Sequence, residues 1–487
     1  MRIRARTAGI ATGAVVIGVV AACGGGGYGG GSSMMGASSS GGGYGGGNNP
    51  PPTVTFSTPA QAMSINLGQA VKVAWTSTNA SSCTSSTSSM TGGTFTGSQS
   101  VSGQMSVVPT ATGSVTYTLS CSGSGGMMNA TSATVTVNPS VLSQLAGIKA
   151  VTIGSTIDPI EKGGNPYGLT LAPATAGLIT AGDLVVCNFN DGATNTQGMG
   201  TTIVGLHPAA GATPYRIAQS AKLQGCNALA VLADDSIAAA AFSANQVPLV
   251  SAAGAVTTPF AADGFTSPWG ATYAAASGGK PAAVYVADIS GSIDRIELNG
   301  DTQSSFTQIA TGFCGSGSPG AIFAPAGLTY DPSIDTLYIV DTSSNSVVAF
   351  ANVSSIGAGG VVVNGQCKSV AAPPTPVPTF SGPSAASARV IAHGSPLFTP
   401  LSVALLGDGD LIVTNADINI GAGQMPNLAV EVSPVLPGGF VGNPVQLDTS
   451  GTPGALFGLA AAVDAQGHQI IYFNDDNTNT VMMLTTP

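Results

Sequence analysis

The sequence predicts an all-β protein, and three observations carry that expectation. Short apolar runs such as Leu184-Val185-Val186 and Leu337-Tyr338-Ile339-Val340 are separated throughout by Gly, Pro, Asn and Asp. No long stretch repeats apolar residues at helical spacing, whereas short strand-like runs bounded by turn residues recur along the chain. Two strands closed by an acidic or amide turn return six times at intervals of roughly fifty residues, which in an all-β chain is the period of propeller blades.

The elements follow in chain order. Residues 1–22 hold Arg2, Arg4 and Arg6 and then no charge through Ala22, a basic segment followed by an apolar one with small residues at its end. This is the grammar of an export signal, and its apolar part falls short of the ~20 residues that cross a bilayer as a helix. Val20-Ala21-Ala22-Cys23 resembles the lipobox of bacterial lipoproteins. The resemblance implies cleavage before Cys23, lipid on its sulfur and anchoring to a membrane of the bacterial envelope. Because Gly24 and not Asp follows, it implies the outer membrane if the envelope is Gram-negative.

Residues 23–52 read as a lipidated tether. Fourteen of residues 24–47 are Gly, and the stretch closes on Asn48-Asn49-Pro50-Pro51-Pro52. Such a coil has no core to fold around, and 29 residues give it a typical reach of ~30 Å.

Residues 53–139 are expected to form a small β-sandwich. Val71, Val73 and Trp75 alternate with Lys72 and Ala74, Tyr117, Leu119 and Cys121 alternate likewise, and Val135 with Val137 closes the module. Trp75 with the Cys83/Cys121 pair resembles bacterial immunoglobulin-like modules of the kind strung along surface proteins. Cys83 follows the tryptophan, whereas in antibody domains the first cysteine precedes it, so the resemblance covers the sandwich and not the antibody topology.

Residues 145–487 carry the repeat. Pro166-Tyr167-Gly168, Pro268-Trp269-Gly270, Pro325-Ala326-Gly327 and Pro400-Leu401-Ser402 each lead into a second strand, as does Leu456-Phe457-Gly458, and a degenerate copy begins at Cys226. The second strands end at Asn188, Ala240, Asp288, Asp341, Asn415 and Asp475, in steps of 52, 48, 53, 74 and 60. Six units predict a six-bladed β-propeller. Pro-x-Gly followed by Tyr-Val-x-Asp is similar to the NHL repeat, most sharply over 268–296 and 325–350. Pro373, Pro374, Pro376 and Pro378 in the long step read as a surface loop between blades, and Ile148–Ile153 as the strand that closes the ring against Thr480–Leu484.

Composition narrows the function. Without the three signal arginines, nine Lys and Arg face 22 Asp and Glu, a net charge of 9 − 22 = −13. Phosphates would be repelled by such a surface, so no nucleic acid partner is expected. No Asp or Glu precedes Asp158, which sets the sandwich apart from the propeller. Of seven cysteines, six remain once Cys23 is lipidated, and their grouping predicts the disulfides Cys83–Cys121 and Cys187–Cys226, with Cys314 and Cys367 bracketing the fourth unit as a third pair or as separate thiols.

The candidate ligand-binding residues are Asn188, Asp288, Asp341, Asn415 and Asp475, which propeller symmetry would place in a ring on the face where the inner strands begin. Converging oxygens there suit a cation or sugar hydroxyls. Turns of one shape also need Asp or Asn to accept backbone N–H groups, with no ligand involved. No cofactor or catalytic residue is expected from any motif, and calcium is the one metal for which oxygen ligands are dense enough, at Asp475, Asp476 and Asn477. Gly407-Asp408-Gly409-Asp410 reads as a turn, lacking the remaining acids of a calcium loop.

Three functions compete. The first is a membrane-anchored envelope lipoprotein whose propeller presents a binding surface to a protein or glycan partner. The second, implied by the NHL resemblance, is a lactonase-like hydrolase or lyase with a channel metal such as calcium. Few ligands stand behind it: His207, His393 and His468 are scattered over different units, and Glu161, Glu297 and Glu431 are the only glutamates. The third is a structural envelope component.

Overall fold

A computed structural model describes residues 49–89, 92–260, 264–365, 376–418, 420, 424–450 and 452–487. The expected signal peptide, Cys23, most of the tether and Cys367 lie outside the described residues.

Residues 53–138 form three sheets around one core. Thr53–Thr58, Val71–Thr78 and Gly103–Val107 make the first, and Met63–Asn66, Val135–Asn138 and Gly113–Val115 the second. Gly97–Gln99, Ser82–Thr87, Tyr117–Gly123 and Gly126–Thr131 make the third. The alternation read in the sequence is what fills this core: Val71, Val73 and Trp75 are buried beside Tyr117, Leu119 and Cys121. Phe95 packs edge-on against both Trp75 and Tyr117, and the Trp75 indole donates to the Ser100 carbonyl at 3.0 Å. Cys83 and Cys121 are bonded across neighbouring strands of one sheet, with Cα atoms 4.1 Å apart. The bond therefore staples a single sheet and not two, unlike that of an antibody domain.

After the short helix Val141–Leu145, the described residues fold into six sheets built on four antiparallel strands each, with one exchange at the seam and a hairpin from the fourth unit added to the third sheet. The sheets begin with Gly164–Leu171, Cys226–Val231, Pro268–Ala274, Pro325–Asp331, Pro400–Leu405 and Leu459–Val463. Each of these first strands touches the next, and the last touches the first, so they line a central channel. The exchange is at the ring's seam. Val151–Ser155, before the first sheet in sequence, pairs with Thr480–Thr485 as the outer strand of the last sheet.

Six apolar cores alternate with the six sheets. Val185 and Ile203 meet Leu229 and Ile237 between the first and second sheets, and so on around to Tyr472 and Val481, which meet Leu184 and Val204 across the seam. Strands that are apolar on both faces are what this packing requires, and Leu184–Asn190 and Thr336–Asp341 are buried at every residue.

The Pro-x-Gly motif has a local cause. Strand register slips between Pro166 and Leu169, Pro268 and Gly270, Pro325 and Leu328, and Pro400 and Ser402, a bulge recurring at one place in the unit. There, adjacent inner strands approach closely. A Cβ on Gly168 would lie 3.1 Å from the backbone of Ala228, and one on Gly327 2.6 Å from the Leu401 carbonyl oxygen.

Two expectations need correction. Pro373 and Pro374 lie outside the described residues, but the strands flanking the proline-rich stretch fall between the third and fourth strands of the fourth sheet, Ser346–Ala351 and Ala388–His393, and not between blades. Its hairpin, Val361–Asn364 with Thr379–Ser381, instead extends the third sheet, pairing parallel with Thr302–Thr311. A surface loop is thus partly a strand pair, because the outer edge of the third sheet offers unpaired backbone groups. In the second sheet Ala241, not Ala240, stands opposite the strand's first residue, Cys226. A bulge between Cys226 and Ala228 shifts the count by one.

Cys187 and Cys226 are bonded, joining the second strand of the first sheet to the first strand of the second. Cys314 is disulfide-bonded as well. Replacing both Cys187 and Cys226 by Ala is expected to lower stability by about 3 kcal/mol, because the bond closes a 39-residue span of the unfolded chain. Chemical denaturation of the variant and the parent checks it.

Candidate functional site

Four of the five ring candidates lie near one face, where the inner strands begin, since Asn188, Asp288, Asp341 and Asn415 are each paired with the first proline of their unit, and Asp475 lies two residues past Phe473, the partner of Leu459 that opens its inner strand. Asp288, Asp341, Asn415 and Asp475 are the last residues of their strands. Asn188 is not in a turn, because its strand runs on to Asn190. Its amide donates to the Thr156 carbonyl at 3.0 Å and to the Thr202 hydroxyl at 3.2 Å.

The side chains of the others are turned to their own loops. Asp288 accepts from the backbone N–H groups of Thr266, Ser267 and Ser290. Asp341 accepts from the Ser343 N–H and from the hydroxyls of Ser343 and Ser344, and its burial pushes its carboxyl up. Asn415 accepts from the Phe398 N–H at 3.0 Å and donates to the Pro396 carbonyl at 3.1 Å. Asp475 accepts from the Thr478 N–H at 3.2 Å. These are the bonds that shape a turn and hold the neighbouring loop to it.

Among the described residues of this face, Asn188, Asp417 and Asp476 each keep one buried oxygen without a hydrogen bond, and Asp417 is the one that lines a cavity. Asp417, two residues past Asn415, is 4% exposed. One of its carboxylate oxygens accepts from the Asn427 N–H, and the other has no partner among the described residues. Burial pushes this carboxyl up to about 6. It lines a cavity of about 220 Å³ together with Leu397, Phe398, Asn415, Met425 and Leu428. The wall is mainly apolar with Ser395, Asn415 and Gln424 among it, and such a cavity suits a ligand group that brings a donor to Asp417 beside an apolar body. Nothing in the sequence pointed to Asp417; only its closeness to Asn415 was visible.

The second acidic set is less open. Asp476 is pushed up to about 7 by burial and by the charge of Asp475, and one of its oxygens has no partner. Asn477 is exposed and donates to the Thr452 carbonyl. Among the described residues, no three His, Cys, Asp or Glu side chains are grouped so as to hold a metal ion. The histidines stand apart on three sheets, His207 held by Asp183 at 2.5 Å and His468 by Asp464 at 2.8 Å.

The channel differs from both. Its wall is built from three residues of each unit, such as Tyr167-Gly168-Leu169 and Trp269-Gly270-Ala271, and none of them is Asp, Glu, His or Cys. Where the inner strands begin, aromatic rings converge. Tyr167 stacks between Phe189 and Phe457 at 4.2 and 4.1 Å, and Trp269 meets Tyr167, Phe189 and Phe242 edge-on. These side chains form one apolar cluster that fills this end of the channel.

Six sheets in cyclic contact around a channel define the protein as a β-propeller carrying an additional small β module. No protein-family model matches the chain, and no curated protein matches it. Among solved structures, the chain is similar to a catalytically inactive virginiamycin B lyase from Staphylococcus aureus with quinupristin. The two share 13% identity over 69% of this chain and 98% of that one, with a TM-score of 0.39. A streptogramin B lyase (14% identity, 66% and 93% covered, TM-score 0.36) and a chain of a nidogen/laminin complex (14%, 62% and 85%, TM-score 0.39) are similar to the same extent.

Proposed function

We propose that this is an envelope lipoprotein, anchored through lipid on Cys23, whose propeller presents a binding surface to a protein or glycan partner. Residues 1–22 are its signal, 23–52 its tether, 53–139 an immunoglobulin-like spacer and 145–487 a six-bladed NHL-like propeller, in the outer membrane if the cell is Gram-negative. The observation that carries the reading is the contrast between channel and face. The channel wall holds no carboxylate, imidazole or thiol to do chemistry, whereas the face holds Asp417, with a carboxylate oxygen unpartnered among the described residues in a mainly apolar cavity.

Affinity capture from envelope extracts tests it, using the full chain and its Asp417→Ala variant. The parent is expected to retain a partner that the variant loses by about ten-fold or more, the cost of one buried interaction of about 1.4 kcal/mol. Equal capture by both sinks the reading. Elemental analysis addresses the enzyme alternative. The purified chain is expected to hold no stoichiometric calcium and to show no thermal shift with calcium or chelator, and a tightly held ion would favour the hydrolase or lyase.

A further inference from the structure

The helix between the two parts of the chain is seated by a carboxylate. Glu431, in the third strand of the fifth sheet, is fully buried, and its two oxygens accept from the N–H groups of Val141 at 3.2 Å and Leu142 at 2.6 Å. Val141, Leu142 and Leu145 enter the core between the fifth and sixth sheets. Beside them the sandwich loop 66–69 rests on the same sheet. Asn66 donates to Asp408 at 2.8 Å, and Ser433 donates to the Gly68 carbonyl at 2.7 Å. Asp410 is 1% exposed with Ser433 and Gln69 beside its carboxyl, and one of its oxygens has no hydrogen bond among the described residues. A Cβ on Gly68 would lie 2.5 Å from that oxygen, so the loop backbone closes directly over it.

Three carboxyl groups thus converge on one joint, and no cation answers them. The sandwich loop and the helix contribute only Asn66, Gly68, Gln69, Ser140, Ser143 and Gln144, none of them charged. Lys72 is exposed on its strand. On the fourth sheet Asp331 and Arg389 are the next charges, and Arg389 donates to the Pro434 carbonyl at 2.9 Å. Among the described residues, no Lys, Arg or His forms an ion pair with Asp408, Asp410 or Glu431.

We propose that this joint is a proton-dependent latch, closed while Asp410 and Glu431 share at least one proton and released when both are charged. Each further charge in a buried, cation-free space repels those present and draws in water. Burial with the charge of Asp408 pushes Asp410 up to about 7, and burial with the charges of Asp410 and Asp408 pushes Glu431 up to about 8. Release therefore falls just above neutrality. Its consequence is mechanical: the propeller is held rigidly on its spacer in mildly acidic surroundings and swings more freely in alkaline ones.

Hydrogen exchange on the purified full chain tests the latch, at pH 6 and pH 9 with intrinsic rates removed. The protection of Val141–Leu145 is expected to fall about ten-fold or more beyond that of Leu184–Asn190 in the first sheet, whose own change reports the global loss of stability. Asp410→Asn and Glu431→Gln each remove one charge, and either is expected to abolish most of that fall. Unchanged protection of the helix in the parent would falsify the latch, as would an equal fall in helix and reference strand. A fall that persists in the variants also overturns it, and Asp410→Asn alone decides if Glu431→Gln does not fold.

Discussion

Gly270→Val is expected to lower the unfolding free energy by about 4 kcal/mol or more, at the upper end of what overpacking costs. Gly270 sits at the bulge that follows Pro268 in the third sheet's inner strand, where that strand passes the inner strand of the fourth. A Cβ there meets the carbonyl oxygen of Ala326, well inside the 3.0 Å that real Cβ atoms keep, and also crowds the Ala287 side chain at 3.3 Å. The obstacle is backbone on a strand that is hydrogen-bonded to its own sheet, so it cannot rotate away as a side chain would. The third and fourth sheets must separate or the ring must widen, and either exposes part of the core formed by Tyr285, Leu328 and Ile339. Gly357→Ala is the control: a Cβ there meets nothing within 4 Å, and stability should stay within about 0.5 kcal/mol. Urea unfolding of the two variants checks both, and a Gly270→Val protein as stable as the control would mean that the inner strands slide freely.

This glycine shows how far the sequence could be read. Pro-x-Gly was legible as a repeat because the same bulge recurs, and the period followed from repeating one unit around a closed ring. Where the second strands ended was legible too, since Asp288, Asp341 and Asn415 are the turn-forming residues that end them. Asn188 was misplaced in a turn, because an Asn within a strand and one at its end have the same local neighbours. The insertion at 361–381 was assigned to the wrong gap for a related reason. Its strands pair with the third sheet although they follow the third strand of the fourth, and pairing across units leaves no local signal.

What stayed hidden is long-range. Tyr167, Phe189, Phe242, Trp269 and Phe457 are spread over nearly 300 residues and form one cluster only because the ring brings four units to a common axis. Asp417 looks like any loop aspartate until Leu397, Phe398 and Leu428 are placed around it. Glu431 reads as a charge interrupting an apolar strand, and its partners, the amides of Val141 and Leu142, lie about 290 residues earlier. A buried carboxylate in an acidic protein is visible in sequence only as an exception to alternation, without the partner that explains it.

The same buried acids set the last expectation, that the folded chain loses stability as pH rises from 5 to 8. Burial holds Glu431 at about 8, Asp294 and Asp410 at about 7, Asp476 at about 7 and Asp417 at about 6. In the unfolded chain all five would ionise near 4. Between these limits the native state binds more protons than the unfolded one, and stability then falls with rising pH. The contribution of each group is fully present below about pH 4 and is lost as pH climbs through its folded value. A single such group changes stability by about 1.4 kcal/mol per pH unit across its window, and the five windows overlap. Opposing them are Asp158, held down by Arg216, and Asp335, held down by Lys280, but those gains are lost only below the ordinary carboxylate range. The optimum should therefore lie near pH 4 to 5, with the melting midpoint several degrees higher at pH 5 than at pH 8. Calorimetry at fixed ionic strength measures it directly. A midpoint that rises toward pH 8 would mean that water or cations reach these carboxylates in the folded protein, and that the joint at Glu431 is already open at neutral pH.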